Sequence, residues 1–169
     1  LLIVVGDVKA AAVLPLLETH FGGWRGTGSA PAAAKVPAAP PLSRREIVIV
    51  DKPGAAQSQV RIGQVGVARD TPDYFAITVA NTVLGGAFTS RLNQNLRETH
   101  GYTYGARSDF DMRRAPGPFS AGAGVQTDKT AESVREFFNE FAGMQKPIPA
   151  DELAKAKNYV ALGYPGEFE

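Results

Sequence analysis

Two side chains in the run "LRETHGYTYGARSDF", residues 96–110, invite a chemical reading: Arg97, and Tyr104 seven positions later. A guanidinium carries five N–H donors and a permanent charge, and a phenol carries one O–H. Such a pair suits a fixed electrophilic role, holding carbonyl oxygens in place. The competing reading is structural: Arg97 bridges to Glu98 or Asp109, and Tyr104 is a half-buried strand tyrosine. Tyr102 is a second candidate, close in sequence. His100 is chemically versatile, but at a helix C-terminus its interaction with the helix dipole accounts for it.

Other chemistries lack their residues. Only His20 and His100 are present among 169 residues, in neither an H-E-x-x-H nor an H-x-x-E-H spacing, so no zinc site is encoded in this chain alone. With no cysteine there is no disulfide framework, thiolate knuckle or cysteine nucleophile. No G-x-G-x-x-G, phosphate-loop or G-x-S-x-G pattern occurs. "LGGAFTSR" has the glycines for an anion site, yet a turn between two helices explains them. Arg107, Arg113 and Arg114 alternate with Asp109 and Asp111, as on a solvated strand face with cross-strand pairs.

Bulk composition narrows the classes further. Lys plus Arg total 18 against 17 for Asp plus Glu, which gives no broad field for nucleic acid or acidic lipid. The longest apolar runs, such as "LLIVV" at 1–5, are far short of a membrane span. Apolar residues make up 44%, enough for a buried core in one domain.

Positioning the candidate pair requires the following elements. "LLIVV" predicts a strand, and Asp7 caps a helix through "VKAAAVLPLLETHF" closed by Gly22-Gly23, with Pro15 an awkward member. Residues 1–24 thus form a strand-helix, 25–45 an Ala/Pro-rich linker, and 46–169 a main domain. "REIVIVDKPG" predicts a strand and turn, and "AQSQVRIGQVGVA" a second strand whose apolar phase slips near Gly63, suggesting a bulge. Thr71, Pro72 and Asp73 announce a helix that ends at Gly85-Gly86, and "TSRLNQNLRETH" follows as another, stopping at Gly101. "YTYGARSDFDMR" and "GPFSAGAGVQT" form a hairpin around "RAPGP". Two helices close the chain, the first with Val134, Phe137, Phe138 and Phe141 on one face. Paired strands alternating with paired helices predict an α+β two-layer sandwich, mostly antiparallel, with helices on one face.

Read as one unit, "LGGAFTSRLNQNLRETHGYTYGARSDF" resembles the second-domain signature of the pitrilysin-type zinc metallopeptidases, through Leu84, Gly85, Gly86, Ser90, Arg91, Leu92, Leu96, Arg97, Gly101 and Tyr104. Weaker resemblance extends to "VVGDV", "HFGGW", "DKPGAAQSQVRIG" and "ELAKAKNYVALGYPGEFE". The resemblance implies the metallohydrolase fold of processing peptidases, in which one domain carries zinc in H-x-x-E-H and a later, non-catalytic domain contributes an Arg and a Tyr to the substrate. Arg97 and Tyr104 match by position. They would bind a peptide and support the oxyanion of its transition state.

No independent activity or metal is then expected of this chain; zinc would sit in a partner domain or subunit, and a bacterial periplasm or cell envelope would be the compartment. The resemblance also implies a C-terminally truncated domain, with "LLIVV" and its helix filling the vacant place in the sheet. The alternative is a structural or assembly domain of the same fold.

Overall fold

The computed structural model describes residues 2–26, 28, 37, 40 and 43–168. They belong to two compact units, Leu1–Lys35 and Val36–Glu169. In the first, helix α1 spans Ala10–Phe21 with Pro15 inside it. It starts after Lys9 rather than at an Asp7 cap, and the Gly22 N–H closes it on the Glu18 carbonyl at 2.8 Å. Residues 2–5 form no strand and are exposed. Most of the expected Ala/Pro linker, at 27, 29–36, 38, 39, 41 and 42, lies outside the described residues.

The second unit contains β1 (Gln57–Val65), α2 (Tyr74–Asn81), β2 (Thr103–Phe110), β3 (Pro118–Gln126), α3 (Thr130–Gly143) and α4 (Ala150–Gly163). The strands form an antiparallel sheet in the order β1-β3-β2, so the fold is α+β as expected. The strand expected in "REIVIV" is not formed: Ile47, Val48, Ile49 and Val50 are exposed coil. β-branched residues favour a strand only where a neighbour supplies the ladder, and this sheet stops at β1.

One sheet face is apolar and small, with Val60, Ala106, Ala121, Ala123 and Val125 all buried. Those small residues let the helices approach closely, and Leu92, Leu96 and Phe137, each with no exposed surface, fill the layer between. Val134 and Phe141 join Phe137 in this core, while Phe138 remains 36% exposed at its rim. Burying an aromatic the size of Phe137 contributes about 3 kcal/mol.

The helices before β2 depart from the expected α geometry. The Thr71 hydroxyl accepts the Asp73 N–H at 3.3 Å in the manner of an N-cap, and α2 then passes into a π-helical turn over Thr82–Gly86. The helix entered at Arg91 is π over Asn93–Thr99. Apolar spacing does not distinguish i→i−4 from i→i−5 bonding over so few turns. Gly85 is where this layer meets the sheet most closely: a Cβ there would lie 2.5 Å from Ser108 Oγ and 2.8 Å from Leu92 Cδ1.

Two asparagines fasten these helices to β2. Asn93 Oδ1 accepts the Ala106 N–H at 2.9 Å. Asn81 donates from Nδ2 to the Ser108 carbonyl at 3.1 Å and accepts the Ser108 hydroxyl at 2.7 Å. β2 is an edge strand, and side-chain amides here take the place of a fourth strand along it. Arg91 adds a bidentate pair to Glu152 of α4, at 2.7 and 2.6 Å. Those hydrogen bonds hold the Arg91 guanidinium above its ordinary pKa.

Candidate functional site

Arg97 and Tyr104 are brought together by a reversal and a bulge. After the π-helical segment, Gly101 adopts φ +64, a left-handed conformation that glycine enters without strain. Around it the Gly101 N–H reaches the Arg97 carbonyl at 3.1 Å and the Tyr102 N–H reaches that of Leu96 at 2.8 Å. The chain therefore turns straight into β2. There the register against β3 shifts between Thr103 and Ala106, so Tyr104 and Gly105 together oppose one residue and both face outward. The Thr103 hydroxyl stabilises this bulge, accepting the Gly105 N–H at 3.1 Å and lying 2.7 Å from the Gly124 carbonyl.

No bulge occurs at Gly63, where one was expected: β1 pairs with β3 continuously from Gln57 to Val65. The apolar phase slips there because β1 ends at Val65, which faces solvent.

The Arg97 guanidinium carbon lies 5.1 Å from the Tyr104 ring centroid and 4.4 Å from that of Phe88. Each such contact is worth about 0.5–1 kcal/mol at an exposed site. Arg97 Nε also lies 3.3 Å from Glu98 Oε1, one of the structural partners anticipated for it. Its side chain is 26% exposed, whereas Tyr104 is 86% exposed. The arrangement leaves a phenolic O–H and most of a guanidinium fork directed at an open groove of about 410 Å³. Arg61, Arg107, Gly122 and Gly124 also line that groove.

The other flagged residues fall elsewhere. Tyr102 stacks on His100 with centroids 4.8 Å apart, away from the Arg97 pair. Arg113 pairs with Asp111, as an alternating strand face would, but Arg107 stands apart from that pair. Phe88 was not anticipated. Its signal is weak, a lone aromatic in "GGAFTSR", and only the chain reversal brings it beneath Arg97. A larger hollow of about 700 Å³ lies between α2 and β2, but its Asn81 and Ser108 groups are already bonded to each other.

Among the described residues, no three His, Asp or Glu side chains converge as metal ligands. The donor set therefore does not fit a zinc ion. Nor is any described helix long and apolar enough to cross a membrane.

The profile of the Peptidase M16 inactive domain matches residues 1–160. The chain is 27% identical over 158 residues to an uncharacterized zinc protease of Mycobacterium tuberculosis, covering 94% of this chain and 35% of that protein. It is 35% identical over 135 residues to another from Streptomyces coelicolor, covering 73% of this chain and 29% of that protein. This chain thus spans about a third of the length of the curated relatives it matches.

Among solved structures, the peptidase M16 inactive domain from Pseudomonas fluorescens aligns with a TM-score of 0.63 at 31% identity, over 66% of this chain and 27% of that one. A protease from Helicobacter pylori aligns with a TM-score of 0.82 over 96% of this chain and 39% of that one; at 22% identity this speaks for the fold alone.

Proposed function

The chain belongs to the Peptidase M16 inactive-domain family, and from that premise we propose that it is the substrate-clamping, non-catalytic domain of a zinc-dependent metalloendopeptidase. The observation that carries this reading is the convergence of Arg97 and Tyr104, 5.1 Å from guanidinium carbon to ring centroid, on an exposed sheet face. An extended peptide laid along that face offers main-chain carbonyls, and both side chains donate to them. The phenol can follow one carbonyl oxygen as it gains negative charge. The metal-dependent chemistry belongs to an H-x-x-E-H domain or subunit, since this chain's own side chains do not fit zinc.

A second reading, a scaffold domain without substrate contact, draws support from the internal partners of Arg97, namely Glu98, Phe88 and Tyr104. The two readings separate in the assembled peptidase. Under the clamp reading, Arg97→Ala and Tyr104→Phe lower peptide turnover, by about 10²-fold where an oxyanion donor is lost, with zinc content and thermal melting retained. Turnover equal to the parent's in both variants would establish the scaffold.

A further inference from the structure

The clamp reading says how a peptide is held but not which peptide, and the same open face carries a feature that bears on this. In the sheet register Arg61 of β1 and Arg107 of β2 both pair with Gly122 of β3. The three form one row across the sheet, and directly paired residues share a face. Both arginines are exposed, and all three residues line the groove that holds Arg97 and Tyr104.

Gly122 makes the middle of that row a depression. A Cβ there would run into the Val60 carbonyl oxygen and lie 2.9 Å from Arg61 Nη1, so the Arg61 side chain is drawn across the place a side chain would occupy. Two strand spacings separate the arginine backbones, about 10 Å.

The charges around this row are unbalanced. Arg91, Arg97 and Arg113 each have a carboxylate partner, whereas among the described residues Arg61 and Arg107 have neither an ion pair nor a side-chain hydrogen bond. Asp109, two positions along β2 and paired with Ser120, is the nearest acid on the strand and does not bridge to Arg107. Gln57 and Gln59, further along β1, are neutral. The chain's net charge is only +1, so this is a local concentration of positive charge, not a sample of a basic surface. Guanidinium groups fork onto carboxylates in bidentate geometry.

We propose that Arg61 and Arg107, flanking Gly122, form a carboxylate cradle that selects peptides with an acidic residue at one defined position. The proposal rests on the reading of this face as the peptide-binding one. The position follows from the sheet. The Tyr104–Gly105 bulge lies against Gly124, two residues from Gly122 and therefore about 7 Å along the strand. The acidic side chain belongs about two residues from the peptide unit that Tyr104 holds.

The test is a positional scan in the assembled peptidase, comparing Glu with Gln at each site of an otherwise neutral peptide, with free and amidated C-termini. The parent enzyme is expected to favour Glu at one position by about 10–100-fold in kcat/KM, the size of charge-assisted hydrogen bonds. Arg61→Met with Arg107→Met brings that ratio to about one. Arg61→Glu with Arg107→Glu reverses it in favour of Lys. Thermal melts establish that the variants fold, and the single substitutions, expected to lower the ratio partway, serve if a double variant does not.

A Glu/Gln ratio near one in the parent, or one unchanged in the Arg variants, overturns the cradle. A preference abolished by C-terminal amidation also overturns it, assigning the charge instead to recognition of a free terminus. The cradle and the clamp fail separately. If Arg97 and Tyr104 variants lower turnover while Arg61 and Arg107 variants leave the ratio alone, the clamp stands without the cradle. If Arg97 and Tyr104 variants change nothing on any peptide, the clamp itself falls.

Discussion

Replacing Asn93 tests how the edge of β2, and with it the bulge that presents Tyr104, is held. Asn93 is 7% exposed, and its Oδ1 is the partner of the Ala106 N–H at 2.9 Å. Its contacts from Nδ2, to the Ala87 carbonyl at 3.4 Å and to Ser90 Oγ at 3.5 Å, are long and add little. In Asn93→Ala the amide of Ala106, a residue only 2% exposed, is left without a partner. An orphaned buried donor costs about 1–3 kcal/mol.

Taking about 2 kcal/mol, a chain of this size loses about 4–8 °C in Tm. Asn93→Leu restores the volume but not the acceptor, so its cost should match that of the alanine variant. Urea unfolding measures both, and amide hydrogen exchange at Ala106, expected to accelerate in each variant, reports the bond directly. A leucine variant as stable as the parent, or an Ala106 amide as protected as before, would refute the argument that this side chain stands in for a strand.

Two further outcomes follow from other contacts. Gly85→Ala forces a Cβ into Ser108 Oγ and Leu92 Cδ1 at 2.5 and 2.8 Å and should cost about 3 kcal/mol, seen as a Tm lowered by about 6–12 °C; a shift under about 2 °C would show that the layers can part there. The Asn95 and Asn139 amides donate to Glu136 and hold its carboxyl below the ordinary value of 4.5. That contribution is complete above the ordinary value and is lost as pH falls through the lowered one, so between about pH 6 and about pH 3 the parent should lose more stability than Glu136→Gln in urea titrations.

Features governed by local pattern were legible in the sequence. Thr71 beside Pro72 marked a helix entry, the α3 face was visible in its phenylalanine spacing, and "RAPGP" marked the hairpin turn. Gly101 was visible as a stop, and the Arg97–Tyr104 spacing carried the resemblance to a family. Features decided by tertiary partners were not. "REIVIV" has strand composition and no ladder, and a π turn differs from an α turn by a single bond shift. The β2 bulge depends on a threonine hydroxyl reaching across to Gly124. Arg107 read as one member of a solvated cluster until the register placed it opposite Arg61 across a glycine, and Phe88 came beneath Arg97 only once the chain had reversed.

The widened helix at Asn93–Thr99 has a consequence for chain length. The His100 N–H reaches back five residues to the Asn95 carbonyl at 3.0 Å, and the Thr99 hydroxyl meets the Gln94 carbonyl at 2.8 Å. A turn closed over that interval holds one residue more than an α turn. Removing any one residue between Leu92 and Leu96, both fully buried, would let the segment relax to the narrower ring while its start stayed anchored in the core. Everything after the deletion would then swing by about 100° around the helix axis, and Arg97 would leave the groove with its composition untouched. In this segment the residue count is itself an aiming device, and relatives that keep the groove should vary in side chains here while keeping the count.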